Sequence, residues 1–130
     1  MKRIIGILAY LLSVVPLLAQ YGGDYDPSSP ANPGRNNWDA TTGELIIDDF
    51  TTGKLSTAIA TAIGGTTNNS KVKSILVAGI TNQTDWNVAK NYVNLTMFDM
   101  SRTSGIGEVP SYCFRNLASL QTVILPASIE

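Results

Sequence analysis

Val72-Lys-Ser-Ile-Leu-Val77, Leu95-Thr-Met-Phe-Asp-Met100 and Leu120-Gln-Thr-Val-Ile-Leu125 superpose position by position. Each is apolar at its first, fourth and sixth places, and the starts lie 23 and 25 residues apart. Apolar runs this short, repeated at so short a period, read as strands. Every connection crosses back over the same edge, so the strands stack in parallel. The period of two along a strand then sends Val123 and Leu125 inward and Thr122 and Ile124 outward. Leu45-Ile-Ile47 starts 27 residues before Val72 and reads as an irregular further strand, as terminal units usually are.

Between these strands the pattern changes to helical spacing. Leu55, Ala58, Ile59 and Ala62 form one face, which Gly64-Gly65 terminates. Thr84 is the expected N-cap of a second helix. Asp85 suits its positive end, and Trp86, Ala89 and Val93 form its apolar face. The two helices are expected to cover the exposed edge of the first parallel strand, which would otherwise template aggregation. A 20–29-residue repeat built on L-x-x-L-x-L is the signature of a leucine-rich-repeat solenoid. The expected fold is therefore α/β: short parallel strands stacked at a 23–25-residue period behind a helical N-terminal capping region.

The stretch Val109-Pro-Ser-Tyr-Cys-Phe114-Arg-Asn-Leu117-Ala-Ser-Leu120-Gln-Thr-Val123-Ile-Leu125-Pro-Ala-Ser-Ile129 narrows this further. It resembles the BspA-type leucine-rich repeats of bacterial surface proteins. Cys113 and Phe114 stand at that unit's small-Phe pair, Leu117 at its Cys position and Leu125-Pro126 at its Ile-Pro. The Tyr21–Asp26 stretch, Gly53-Lys-Leu55 and Thr84-Asp85 also look like N-terminal regions of such proteins from Bacteroidales. The resemblance implies a secreted or cell-surface protein that binds a protein or glycan, as in adhesion to a host surface or matrix. Only one full unit of this type is present, and Leu125 to Glu130 opens another, so the chain is expected to be the front of a longer protein.

The chain begins with Met1-Lys2-Arg3, an apolar run from Ile4 to Leu18, and Ala19-Gln20, the layout of a secretory signal peptide over 1–19. Fifteen residues rise only about 22 Å as a helix, short of a bilayer core of about 30 Å, and Pro16 interrupts them. No Cys follows the apolar run, which disfavours a lipoprotein. Residues 20–38, rich in Gly, Pro, Asn and Asp, are expected to be a disordered linker. The capping region with a first repeat then occupies 39–94, and BspA-type repeats occupy 95–130.

Composition excludes several classes of function. The 130 residues hold nine basic and ten acidic side chains, net −1, and losing Lys2 and Arg3 leaves seven against ten. No basic footprint for nucleic acid exists on such a surface. The absence of His removes Ser-His and Cys-His pairs and His-ligated metals together. The single Cys113 can form neither an internal disulfide nor a CxxC pair, and its apolar setting reads as a buried, inert thiol. Asp24 and Asp26 offer too few oxygens for a cation. Asp48-Asp49 and Asp99 read as solvated strand-end charges, and Ser111 and Ser128 lack a base. Gly64-Gly65 and Gly105-Ile-Gly107 are loop punctuation, and because the resemblance implies a bacterial protein the Asn68, Asn82 and Asn94 sequons read as coincidence. No catalytic role, cofactor or metal is expected.

Two functions remain. In the first, the strand face binds a ligand through two outward stripes, Ser74, Met97 and Thr122 beside Leu76, Asp99 and Ile124. In the second, the chain is a structural cap that starts a longer solenoid and has no binding role of its own.

Overall fold

Backbone bonds at the strand entrances set the stack. Lys73 N donates to Gly43 O (2.8 Å), Thr96 N to Lys73 O (2.7 Å) and Gln121 N to Thr96 O (2.9 Å). The Thr96 hydroxyl adds a second bond to Lys73 O at 2.9 Å. The structure, a computed structural model, describes residues 2–3 and 36–129. From these entrances run β3 (Glu44–Ile47), β4 (Ser74–Ile80), β5 (Met97–Ser104) and β6 (Thr122–Leu125), all parallel. Two short strands, β1 (Lys2–Arg3) and β2 (Asn37–Asp39), pair antiparallel with β6 and β3. The sheet order is β1-β6-β5-β4-β3-β2, a mostly parallel α/β arrangement with few helices.

Register follows the sequence repeat. Ser74 pairs with Met97, 23 positions on, and Met97 with Thr122, a further 25 on. Glu44 pairs with Ser74 across a longer interval of 30, so the first strand is the irregular one. Between β4 and β5 the register slips: Leu76 faces Asp99 but Ala78 faces Arg102. The extra residue lies in β5, where Asp99 Oδ1 accepts the Ser101 N–H at 2.9 Å. The side chain thus satisfies a donor within the bulged stretch.

Helix α1 (Leu55–Ile63) buries Leu55, Ile59 and Ile63 and ends at Gly64, whose φ of 81° is left-handed. Gly65 N reaches back to Ala60 O at 2.8 Å, closing the last turn. A 3-10 segment, Thr66–Lys71, follows. The second helix, α2 (Gln83–Trp86), passes directly into a 3-10 segment, Asn87–Asn91. Its N-cap is Asn82, not the expected Thr84: Asn82 and Asp85 form a reciprocal capping box. Trp86 and Ala89 are buried, but Val93 is exposed because the helical path ends before it.

The core gathers Leu45, Ile47, Ile75, Val77, Phe98, Met100, Val123 and Leu125 from one sheet face with Leu55, Ile59, Ile63, Trp86 and Ala89. The helices therefore pack on a face of the sheet. The edge of the first parallel strand is covered by β2, correcting the expectation that helices would cover it. That strand starts at Asn37, within the span expected to be linker. Asn36 explains why: its Oδ1 accepts from Asp48 N (3.1 Å) and Asp49 N (2.9 Å), and its Nδ2 donates to Asp49 O (2.7 Å). Trp38 then packs half-buried against the core. The rest of the expected linker, and the expected signal peptide apart from Lys2–Arg3, lie outside the described residues.

Candidate functional site

Parallel pairing brings the six expected face residues together as two adjoining rows, Ser74-Met97-Thr122 and Leu76-Asp99-Ile124. Their expected exposure is not found. Ser74 is 8 % exposed and the other five lie at 3 % or below. Ile46 and Ala78, whose places on the strands continue the same face, are buried too. None of the apolar members belongs to the helix-covered core, so the sheet is buried on both faces. Parallel sheets are generally covered on both faces, and their strands then read as unbroken apolar runs. Ile46-Ile47, Leu76-Val77-Ala78 and Ile124-Leu125 carry that signal. A period of two, taken alone, misses it.

Asp99 is the one ionisable group in these rows. It is buried rather than solvated as expected, and burial raises its carboxyl above the ordinary carboxylate range, opposed by its bond to Ser101 and by nearby Arg102. Its carboxylate is committed to the bulge, and no second acid faces it across the rows. Asp48 is also buried, while Asp49 is exposed, so only Asp49 matches the expected strand-end charge. Glu44, at the start of β3, is likewise raised by burial.

Asp85 is a more heavily used carboxylate, fully buried. Its Oδ2 accepts from Gly53 N (2.8 Å) and Asn82 N (3.0 Å), and its Oδ1 from Leu55 N (3.0 Å). Leu55 opens α1, whose N-cap Lys54 offers no side-chain bond, so Asp85 caps that helix across 30 residues of chain. Beside it, Trp86 Nε1 donates to Thr81 Oγ1 at 3.0 Å, and Thr81 Oγ1 donates to Ser104 O at 3.0 Å. Trp86 meets Phe98 edge to face at 6.2 Å, and Phe98 meets Phe114 at 5.7 Å. These are scaffold interactions, with no nucleophile among them.

Cys113 is buried, as expected, and burial pushes its thiol up to about 11. Such a thiol holds almost no thiolate at neutral pH. The three sequon asparagines all serve the fold: Asn68 Nδ2 donates to Ile63 O, Asn82 caps α2, and Asn94 Nδ2 donates to Ser70 O. Ser128 donates to Ile106 O at 3.3 Å. Among the described residues no three His, Cys, Asp or Glu side chains gather as a metal site, and no helix is long and apolar enough to cross a membrane.

A feature absent from the sequence expectations is an open groove of about 500 Å³ between the 3-10 segment Asn87–Asn91 and the turn after Pro110, lined by Lys90 and Arg115 among others. Its residues are scattered over 27 positions without periodicity. The available signal was a Tyr three places before an Arg in a turn. Comparison with protein-family models, with characterised proteins and with solved structures gives no match to this chain.

Proposed function

We propose that this chain is a non-catalytic, leucine-rich-repeat binding protein of a bacterial surface, exported by its apolar N-terminal segment and engaging a protein or glycan. The observation that carries this is the register: equivalent positions of three repeated segments stand side by side at intervals of 23 and 25 residues. Stacking of equivalent positions is what a repeat solenoid does, and it builds extended surfaces suited to adhesion. The BspA-like stretch Val109–Ile129 supplies the bacterial-surface part of the proposal. Fold alone gives no ligand.

A second reading, that the chain serves as the structural cap of a repeat stack, has its own support. The six face residues are buried, and antiparallel β2 seals the first parallel edge. One experiment separates the two. Bacteria displaying the chain are assayed for attachment to host matrix proteins and glycan arrays, with Leu76→Ser and Ile124→Thr variants checked for retained fold by circular dichroism. Attachment by the parent chain supports the binding reading, and its loss in either variant with the fold intact would show that the surface depends on these buried rows. Attachment that is absent, or unchanged by both substitutions, leaves capping as the role of these rows. Export is read by intact mass, which should fall by the first nineteen residues.

A further inference from the structure

Among the described residues, two of the three exposed large apolar side chains, Val93 and Tyr112, line one groove. The same groove holds Lys90, Arg115, Asn91 and Asn116, all of them exposed. On a chain of net charge −1 this places two cations together. The Arg115 guanidinium lies 5.5 Å from the ring centroid of Tyr112, covering one side of the ring of a residue that is 75 % exposed.

The backbone beneath is unusual in the same place. Among the described residues, Tyr112 (φ 62°) and Asn116 (φ 64°) are two of three non-glycine residues in the left-handed region, which Asn tolerates but a bulky Tyr rarely adopts. Strain of this kind concentrates at functional sites. The turn is also anchored: Cys113 and Leu117 are buried beneath it, and Arg115 N bonds Tyr112 O at 3.0 Å. Rigid anchoring on the inside presents Tyr112, Arg115 and Asn116 outward as a fixed set.

We propose that this groove binds a carboxylated sugar, as found in acidic glycans. Lys90 and the Arg115 fork take the carboxylate, which Arg recognises with paired N–H donors. The free part of the Tyr112 ring and Val93 supply an apolar patch for the C–H face of a pyranose. Asn91, Asn116 and the Tyr112 hydroxyl each donate and accept, matching vicinal sugar hydroxyls that do the same. An acidic peptide would use the cations and could meet the amides through its own backbone, but an all-Asp chain has no flat C–H face to lay on Tyr112 and Val93. The open volume suits a ligand of one or two rings. The groove lies apart from the strand rows, so the proposal stands whether or not the chain is a repeat protein.

The test uses the full chain and ligand-observed NMR titrations with glucuronate and N-acetylneuraminate. Glucose, N-acetylglucosamine and a hexa-aspartate peptide serve as competitors and controls. Saturable binding of an acidic sugar is expected, with a Kd on the order of millimolar for one site engaged alone. Arg115→Gln should weaken it at least about tenfold, and added salt should weaken it as well. Tyr112→Gly should abolish it while leaving Tm unchanged or raised, because glycine adopts that backbone freely. A merely structural Tyr112 would instead give a lowered Tm and unaltered binding. Equal binding of neutral sugars, no binding of either acidic sugar, or tighter binding of the peptide would overturn the proposal, the last in favour of a protein ligand.

Discussion

Replacing Asp85 by Ala should be among the most damaging single changes in this chain. Three backbone donors, on Gly53, Leu55 and Asn82, converge on its carboxylate at 2.8–3.0 Å, and the residue is fully buried. Alanine leaves all three without an acceptor. An unsatisfied buried donor costs roughly 1–3 kcal/mol. Leu55 N is the most buried of the three, and water reaches Gly53 and Asn82 in part, so the total is about 3–5 kcal/mol. About ninety folded residues carry a stability of roughly 5–14 kcal/mol, and the variant should therefore lose a large fraction of it. Asp85→Asn retains one acceptor oxygen, which can serve the Gly53–Asn82 pair or Leu55 but not both. Its cost should be smaller, about 1.5–3 kcal/mol. The assay is urea denaturation followed by circular dichroism, with the shift in midpoint read at unchanged slope. A loss below about 1 kcal/mol for Asp85→Ala would refute the assignment of Asp85 as the shared cap of both helices.

Three further outcomes are expected. Gly105→Ala should destabilise by about 2 kcal/mol or more in thermal denaturation, because φ is 105° and the added Cβ would run into the Thr81 carbonyl oxygen; Gly107→Ala, with open space at that position, serves as the control. Asp99→Asn should be more stable than the parent at pH 7. Burial raises the folded carboxyl above its ordinary 3.8, so the folded state holds its proton more firmly and stability falls as pH climbs through the folded value. The advantage should disappear below about pH 3.8, and denaturation curves at pH 7 and pH 3.5 check it. Cys113 should resist a thiol reagent at pH 7.5 in the folded chain and react fully in 6 M guanidinium. Rapid labelling of the native protein would contradict both its burial and a thiol pushed up to about 11.

Local patterning made the parallel register legible because it is periodic. Apolar residues at matching places in three segments gave both the spacing and the partners, Ser74 with Met97 and Met97 with Thr122. The α1 stop was legible for the same reason, since Gly64 marks a left-handed turn by its own chemistry. What failed was everything set by a distant partner. Thr84 looks like an N-cap in isolation, yet Asn82 takes the place because Asp85 can then bond Asn82 N while reaching Gly53 and Leu55 across the fold. Trp38 sits next to a proline- and glycine-rich stretch that suggests a linker. Only Asn36, through its bonds to Asp48 and Asp49, reveals that the chain is already folded there.

The strand rows show the same division in its sharpest form. Alternation decides which side of the pleat a residue takes, and it placed Ser74, Met97 and Thr122 in one row correctly. It says nothing of whether that side meets solvent, since exposure depends on what else packs there. Asp99 misleads for that reason: a carboxylate in a strand reads as solvated, but here it bonds the backbone of a bulge while remaining buried. A charge retained at such a position has a structural cause, the Ser101 donor within that bulge. The exposed groups of the proposed sugar site lie instead on the turn around Tyr112 and Arg115. There the sequence has no period to follow, and the side chains meet only once Cys113 and Leu117 are packed beneath them.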